Sequence, residues 1–340
     1  MKTDIQKTNK QLKRNRMKSQ NPFIAALALA ALGALNTQLS TAHAQGSLTP
    51  PPGAPAPVMK SLDQIEARTP LLPGAPGVTY ANGAYTITQP GSYYLVGHLT
   101  ATNLTDALIR LTANNVTLDL NGFTLFGTNG LLPAAISGQG QGYRILNGQI
   151  VGGTTQTNGV FTSAGFTMGL YFFSANPNFG AELLVSGLTV RGMRFKGIDV
   201  SLNGVVQNCV VDTTSDLGIS AGTVTGCQAI NAGGHGIIAG TVLNSTGKSV
   251  GSGDGISSIA AQPSTVQNSS GESATGTGVS AGTALNCFGK SVAGPAGIFA
   301  TIANSCIGHR TGGVAINATI GIGCHPAAGS VNIVNKYNMP

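Results

Sequence analysis

An 18-residue period governs the C-terminal third of this chain. Its marker is an aliphatic residue, any residue, usually Asn, then Cys or Ser. It recurs at Val206 to Cys209 (VQNC), Val224 to Cys227 (VTGC), Val242 to Ser245 (VLNS), Val266 to Ser269 (VQNS), Ala284 to Cys287 (ALNC) and Ile302 to Ser305 (IANS). Ile320 follows at the same pitch, and the spacings between lead residues are 18, 18, 24, 18, 18 and 18. Self-similarity at a fixed period means that each repeat is one turn of a solenoid, burying its apolar face only against its neighbours. Val, Ile and Thr recur in phase, so the turns are made of strands. The same spacing predicts an Asn ladder (Asn208, Asn244, Asn268, Asn286 and Asn304) at a bend, where the amides satisfy neighbouring backbone.

A left-handed helix of hexapeptides also has 18-residue coils, but needs an aliphatic residue every sixth position. Val224 and Ile230 are followed by Gly236, and Val242 by Lys248 and Asp254, so the hexad fails. The expectation is an all-β, right-handed, single-stranded parallel β-helix of about ten coils over residues 80–340. The earlier coils are longer. Residues 107–126 alternate apolar and polar side chains with period two, and 143–151 and 183–190 repeat that form. Residues 152–182 are too many for one coil and predict a projecting loop, whose part near Phe161 to Phe179 is a candidate wall for a glycan groove.

The N-terminal end has a different character. Seven Lys or Arg precede an apolar run from Phe23 to Leu35, and Ala42-His43-Ala44 follows. This reads as a signal peptide over residues 1–44, cleaved after Ala44, with export to the periplasm, the cell surface or the medium. The apolar run is too short for a bilayer-spanning helix. Residues 45–79 are Pro-rich, an extended leader in which Met59 to Ala67 is a candidate N-terminal cap. Without residues 1–44 the chain keeps eleven Lys and Arg against ten Asp and Glu, a net charge of +1. That near-neutral balance gives no reason to expect a nucleic-acid partner. No later stretch predicts a membrane span, and the oligomeric state is not legible.

The segments from Val116 to Leu125, from Gly218 to Cys227 and from Gly278 to Cys287, with the leader from Ser47 to Pro70, resemble secreted bacterial β-helix proteins of the pectin-lyase-like superfamily. The group they resemble has no assigned activity. The wider superfamily includes lyases, hydrolases, epimerases, tailspikes and adhesins, so the resemblance implies the fold and leaves the activity open.

Asp216, His235 and Asp254 each stand just before the Gly-Ile that opens a coil, 19 residues apart. In register they would stack at about the 4.8 Å strand spacing. With Arg194 and Lys196, one coil earlier, they are the catalytic candidates; Asp212, Asp216 and Asp254 are the candidate metal ligands. Turn chemistry explains the same residues equally simply, since Asp and His tolerate bends before Gly. Arg191, Arg194 and Lys196 beside Asp199, Asp212 and Asp216 suit an acidic sugar, and the resemblance to pectate lyases makes Ca2+ the cation of that alternative. No motif of that family matches residue by residue.

Other motifs weaken on inspection. Gly234-His235-Gly236 lacks the Asp-Asp pair that polygalacturonase-like hydrolases place beside it. Gly247-Lys248-Ser249 and Gly289-Lys290-Ser291 lack the preceding Gly of a P-loop and read as coil turns, and no cofactor is implied. Cys209 and Cys227, like Cys306 and Cys324, are 18 apart, which allows a bridge between coils or a stack of small side chains. Two functions follow: an exported β-helix with a surface-binding or cell-envelope role and a polysaccharide or cell-surface ligand, or a polysaccharide-active enzyme, lyase before hydrolase, acting on an acidic glycan.

Overall fold

A computed structural model describes residues 68–172, 182–200, 202–258 and 264–339. The signal segment 1–44, the leader to residue 67 with its candidate cap, and the part of the projecting segment at 173–181 lie outside the described residues. Those described contain strands and no helix. They wind into a parallel β-solenoid of about twelve turns averaging about 21 residues, against the ten expected.

Each turn contributes to three faces, A, B and C in chain order. In the first complete turn these are Ala84–Ile87, Gly91–Tyr94 and Leu99–Thr100. Each pairs in parallel with its equivalent one turn on: Ile109–Leu111, Val116–Asp119 and Thr124–Gly127. Later strands run through a corner, as Arg144–Gly152 does from B to C and Ile219–Thr225 from A to B.

Register stacks like on like inside. Face A carries Ile136, Leu170, Ile198, Ile219, Ile237 and Ile256. Face B carries Ile145, Val185, Val206, Val224, Val242 and Val266. Face C thins along the rod, from Val190 and Val211 to Ala229, then Gly247, Gly271, Gly289 and Gly308. The glycines make room for face A. A Cβ on Gly247 would lie 2.8 Å from Ile256 Cγ1, one on Gly271 2.7 Å from Val279 Cγ2, and one on Gly308 2.5 Å from Ile316 Cγ1. Real Cβ atoms do not approach so closely, so the two faces meet backbone to side chain with no space for a methyl.

The B–C corner is a left-handed backbone step on ten successive turns after the first complete one: Asn121, Asn147, Gly187, Asn208, Gly226, Asn244, Asn268, Asn286, Ser305 and Gly323 all have positive φ. Asn and Gly are the residues that reach this region cheaply. The predicted amide ladder forms in part, Asn268 Nδ2 donating to Asn244 Oδ1 at 3.2 Å and Asn286 Nδ2 to Asn268 Oδ1 at 3.3 Å. Its last member changes. Ala284 pairs with Ala303, and Ala303 with Gly321, so Ile302 and Ile320 are not lead residues. Ser305 takes the corner at φ 53°, and Asn304 lies in the strand. The lead spacings are therefore 18, 18, 24, 18, 19 and 18. A one-residue difference inverts which side chain points inward, and the buried Cys306 joins the column where the spacing alone placed Ser305.

That column runs Cys209, Cys227, Ser245, Ser269, Cys287, Cys306, Cys324. All five cysteines are free thiols and buried. Each member donates to the carbonyl two residues back, as Cys209 Sγ does to Gln207 O at 3.2 Å and Ser245 Oγ to Leu243 O at 2.7 Å. The Cys227 amide donates to Ser245 Oγ at 3.1 Å, and the Ser245 amide to Ser269 Oγ at 3.1 Å. Hydrogen bonding to Cys287 and burial push the Cys306 thiol up to about 11.

Candidate functional site

The turn from face C to face A brings the sequence candidates to one edge of the solenoid. The residue before each face A glycine accepts from the glycine one turn back: Gly197 N–H donates to Leu217 O, Gly218 to His235 O, Gly236 to Asp254 O and Gly255 to Thr277 O. The stacked row is thus Leu217, His235, Asp254, Thr277. Asp216 stands one residue outside it, its carbonyl accepting from Gly234 N–H at 2.9 Å. The extra Leu between Asp216 and Gly218 produces the offset.

Within the row, the polar atoms serve the backbone. The Asp254 amide donates to His235 Nδ1 at 2.9 Å, so that nitrogen serves as an acceptor for the backbone. Asp254 Oδ2 lies 3.9 Å from the same nitrogen, and Oδ1 accepts from the Thr277 amide at 2.7 Å. Burial raises the Asp216 carboxyl above its ordinary value, as does Asp199, while Lys196 and His235 pull it down. Lys196 Nζ is spent on the buried Asp199 Oδ2 at 2.7 Å. Arg194 turns the other way, Nη1 donating to Thr167 Oγ1 at 3.0 Å, and its buried Nε has no partner. Lys196, Asp199, Asp216, His235 and Asp254 are brought to one edge.

Asp212 is held elsewhere. It pairs in register with Arg191 and Ile230 on face C, and its Oδ1 accepts from Asn231 Nδ2 at 2.8 Å and Thr213 Oγ1 at 3.0 Å. Among the described residues, no three His, Cys, Asp or Glu side chains are grouped to hold one metal ion.

A strap flanks this edge. Thr155–Thr157 and Val160–Thr162 form an antiparallel hairpin, turned at Asn158 and Gly159 with φ 52° and 85°. Its Phe161 ring packs on Gly233, beside Asp216 and His235. Thr154 Oγ1 pins the base by donating to Ala164 O at 3.1 Å. The Asn-Gly pair was the available sequence signal for this turn. Gly165–Phe172 then returns to face A as an ordinary rung, paired with Leu131–Gly138 and Lys196–Val200.

Two further features went unread in the sequence. A cavity of about 190 Å3 opens over face A between Asp106, Arg110, Ser137, Gly138, Gln139 and Tyr171. Arg110, the outward residue of its strand, is paired with Asp106 at 2.8 Å. On face C the two Gly-Lys-Ser triplets are strands, Thr246–Ser249 and Phe288–Ser291, and not turns; Ser270–Ser273 (SGES) lies between them in register. Glu272 therefore bridges Lys290 at 2.8 Å and Lys248 at 3.6 Å, and the two lysines lower its pKa.

Compared with known proteins, the chain matches no family model, no curated protein and no solved structure.

Proposed function

We propose that this chain is an exported, right-handed β-helix of the pectin-lyase-like kind. Its role is to bind a surface or to build part of the cell envelope, without catalysis. One observation carries the reading. The row expected to do chemistry spends its lone pairs on the backbone, His235 Nδ1 on the Asp254 amide and Asp254 Oδ1 on the Thr277 amide. His235 Nδ1 so engaged cannot also take a substrate proton without breaking a coil contact, and one of the two Asp254 oxygens is committed in the same way. Export to the periplasm, cell surface or medium rests on residues 1–44. The ligand class is a polysaccharide or another cell-surface component, and the near-neutral balance of residues 45–340 does not suit nucleic acid.

A second reading, a lyase acting on an acidic glycan, draws on one observation: Asp216 is a carboxyl of raised pKa within electrostatic reach of Lys196, Asp199 and His235. Its expected Ca2+ does not fit the residues present. Asp212 is tied to Asn231 and Thr213 on another face, and Asp216 and Asp254 stand two coils apart.

The two readings separate in a screen of acidic and neutral polysaccharides, following unsaturated product by ultraviolet absorbance and new reducing ends, with and without calcium. No product is expected from the purified chain. Product that disappears in Asp216→Ala would overturn the non-catalytic reading.

A further inference from the structure

Face A carries a notch that its own register creates. Arg110, Ser137 and Tyr171 stand in one column on three successive turns, Arg110 pairing with Ser137 and Ser137 with Tyr171. Each is flanked along its strand by buried residues, so all three side chains point away from the core. A short residue thus sits between two long ones. Strand spacing places the backbones of Arg110 and Tyr171 about 10 Å apart, with only a hydroxymethyl group on the strand between them. The cavity of about 190 Å3 lies there, closed by Asp106, Gly138 and Gln139.

The lining is polar and its formal charges cancel. Asp106 precedes the Arg110 strand and holds the guanidinium, Oδ2 accepting from Arg110 Nη1 at 2.8 Å and Oδ1 from the Ala107 amide at 2.8 Å. Both ends of the pair are about half exposed, 45% and 53%, so it adds little to stability. Its effect is to fix the fork. One N–H is spent and the rest remain donors, while each carboxylate oxygen keeps a further lone pair. Among the described residues, the Ser137 hydroxyl and the Gln139 side-chain amide make no hydrogen bond.

These groups select the ligand. An acidic ligand would have to displace Asp106 from Arg110 or lie against its carboxylate, and a cationic one would meet the guanidinium. An aliphatic ligand would cover the hydroxyl, the amide and the ion pair without satisfying them. A sugar hydroxyl donates and accepts at once, so it matches Asp106 as acceptor, Arg110 as donor, and Ser137 and Gln139 as either. Tyr171 adds an aromatic wall for the C–H side of the ring. The volume is below the roughly 300 Å3 of a pocket for a drug-sized ligand, so it suits one ring of a longer chain.

We propose that this notch is a subsite for one neutral sugar ring of a surface glycan. This deepens the surface-binding reading by naming the ligand and its place, and it rests on that reading. The full chain is titrated by calorimetry with hexamers of glucose, mannose and xylose, and with a galacturonate hexamer. Titration runs to about 5 mM, because a single-ring contact is of millimolar order. Binding of a neutral hexamer is expected. It should weaken at least about tenfold in Arg110→Ala, which removes the charged donor, and in Ser137→Phe, which fills the notch, and stay unchanged in Lys248→Ala on face C. Circular dichroism checks the fold of each variant. Hydrogen exchange on the parent chain gives an answer that needs no variant, the sugar slowing exchange over residues 106–110 and 137–139. Undiminished binding in both folded variants overturns the proposal, as does unchanged exchange in those segments. So does binding of galacturonate alone, or of none of the hexamers. Each of these failures leaves the non-catalytic reading standing while no polysaccharide is cleaved, whereas cleavage removes that reading whatever the notch binds.

Discussion

A single methyl group added at Gly289 tests the packing that sets the solenoid's cross-section. Gly289 faces inward on face C, opposite Ile298 of face A. Its φ is not left-handed, so alanine is allowed by the backbone. On unfolded-state entropy alone, Gly→Ala at such a site stabilises by about 0.4–1 kcal/mol. The structure predicts the opposite sign. The new Cβ would lie 2.5 Å from Ile298 Cγ1 and 2.8 Å from the Gly297 carbonyl carbon, and would collide with the Gly297 oxygen. Two of those atoms are backbone in a stacked coil and cannot rotate aside. Overpacking of this kind costs about 1–3 kcal/mol. Gly97→Ala is the control, because a Cβ there meets nothing within 4 Å.

Urea titrations followed by circular dichroism give the order of stabilities. A solenoid can unfold turn by turn, so hydrogen exchange over residues 288–308 supplies the local readout. Gly289→Ala is expected to lower the midpoint and speed exchange in that segment, while Gly97→Ala raises the midpoint or leaves it. A Gly289→Ala protein as stable as the parent would mean that faces A and C do not meet at their backbones. The account of the thinning core would then fail.

Two other outcomes follow from the interior and the edge. Because Ser245 and Ser269 fill the same column as the thiols, Cys306→Ser should change stability by less than about 1 kcal/mol, whereas Cys306→Leu should cost about 1–3 kcal/mol by overpacking; a thiol titration of the denatured, unreduced chain should count all five, and a lower count would mean bridged coils. Asp216 has a folded pKa raised by burial, so the folded state binds its proton more tightly and stability falls as pH rises from the unfolded value, about 3.9, through the folded one. Asp216→Asn should therefore melt slightly higher than the parent at neutral pH, with the gap closing in acid; a variant that melts lower at pH 7 would show that Lys196 and His235 outweigh burial.

The fold was readable because a β-solenoid repeats its constraint. Val206, Val224, Val242 and Val266 each mark one turn, and any reader of the spacing finds the same coil. The marker failed where a corner tolerates more than one residue. Ser305 adopts the left-handed step as Asn does, and Ile302 is as aliphatic as Ala303, so the sequence offered two registers one residue apart. Packing decided between them, since only the later register buries Cys306 under Cys287. The edge row failed in a related way. Asp216, His235 and Asp254 are evenly spaced, but even spacing is not register when Leu217 is inserted before one glycine.

The outward positions show why function was harder to read than fold. The inward columns must be apolar, and the B–C corner must reach positive φ, so these positions are legible one residue at a time. Outward positions are nearly free, and no single outward Arg, Ser or Tyr carries information. Their register does. Arg110, Ser137 and Tyr171 sit on early turns of unequal length, so no fixed period links them, and only the pairing of their strands brings them into one column. Folding does not require a short residue between two long ones there, because a longer side chain at Ser137 would reach solvent as Arg110 does. A gap that the coil does not need, beside an ion pair already neutralised, has its simplest cause in something that fills it.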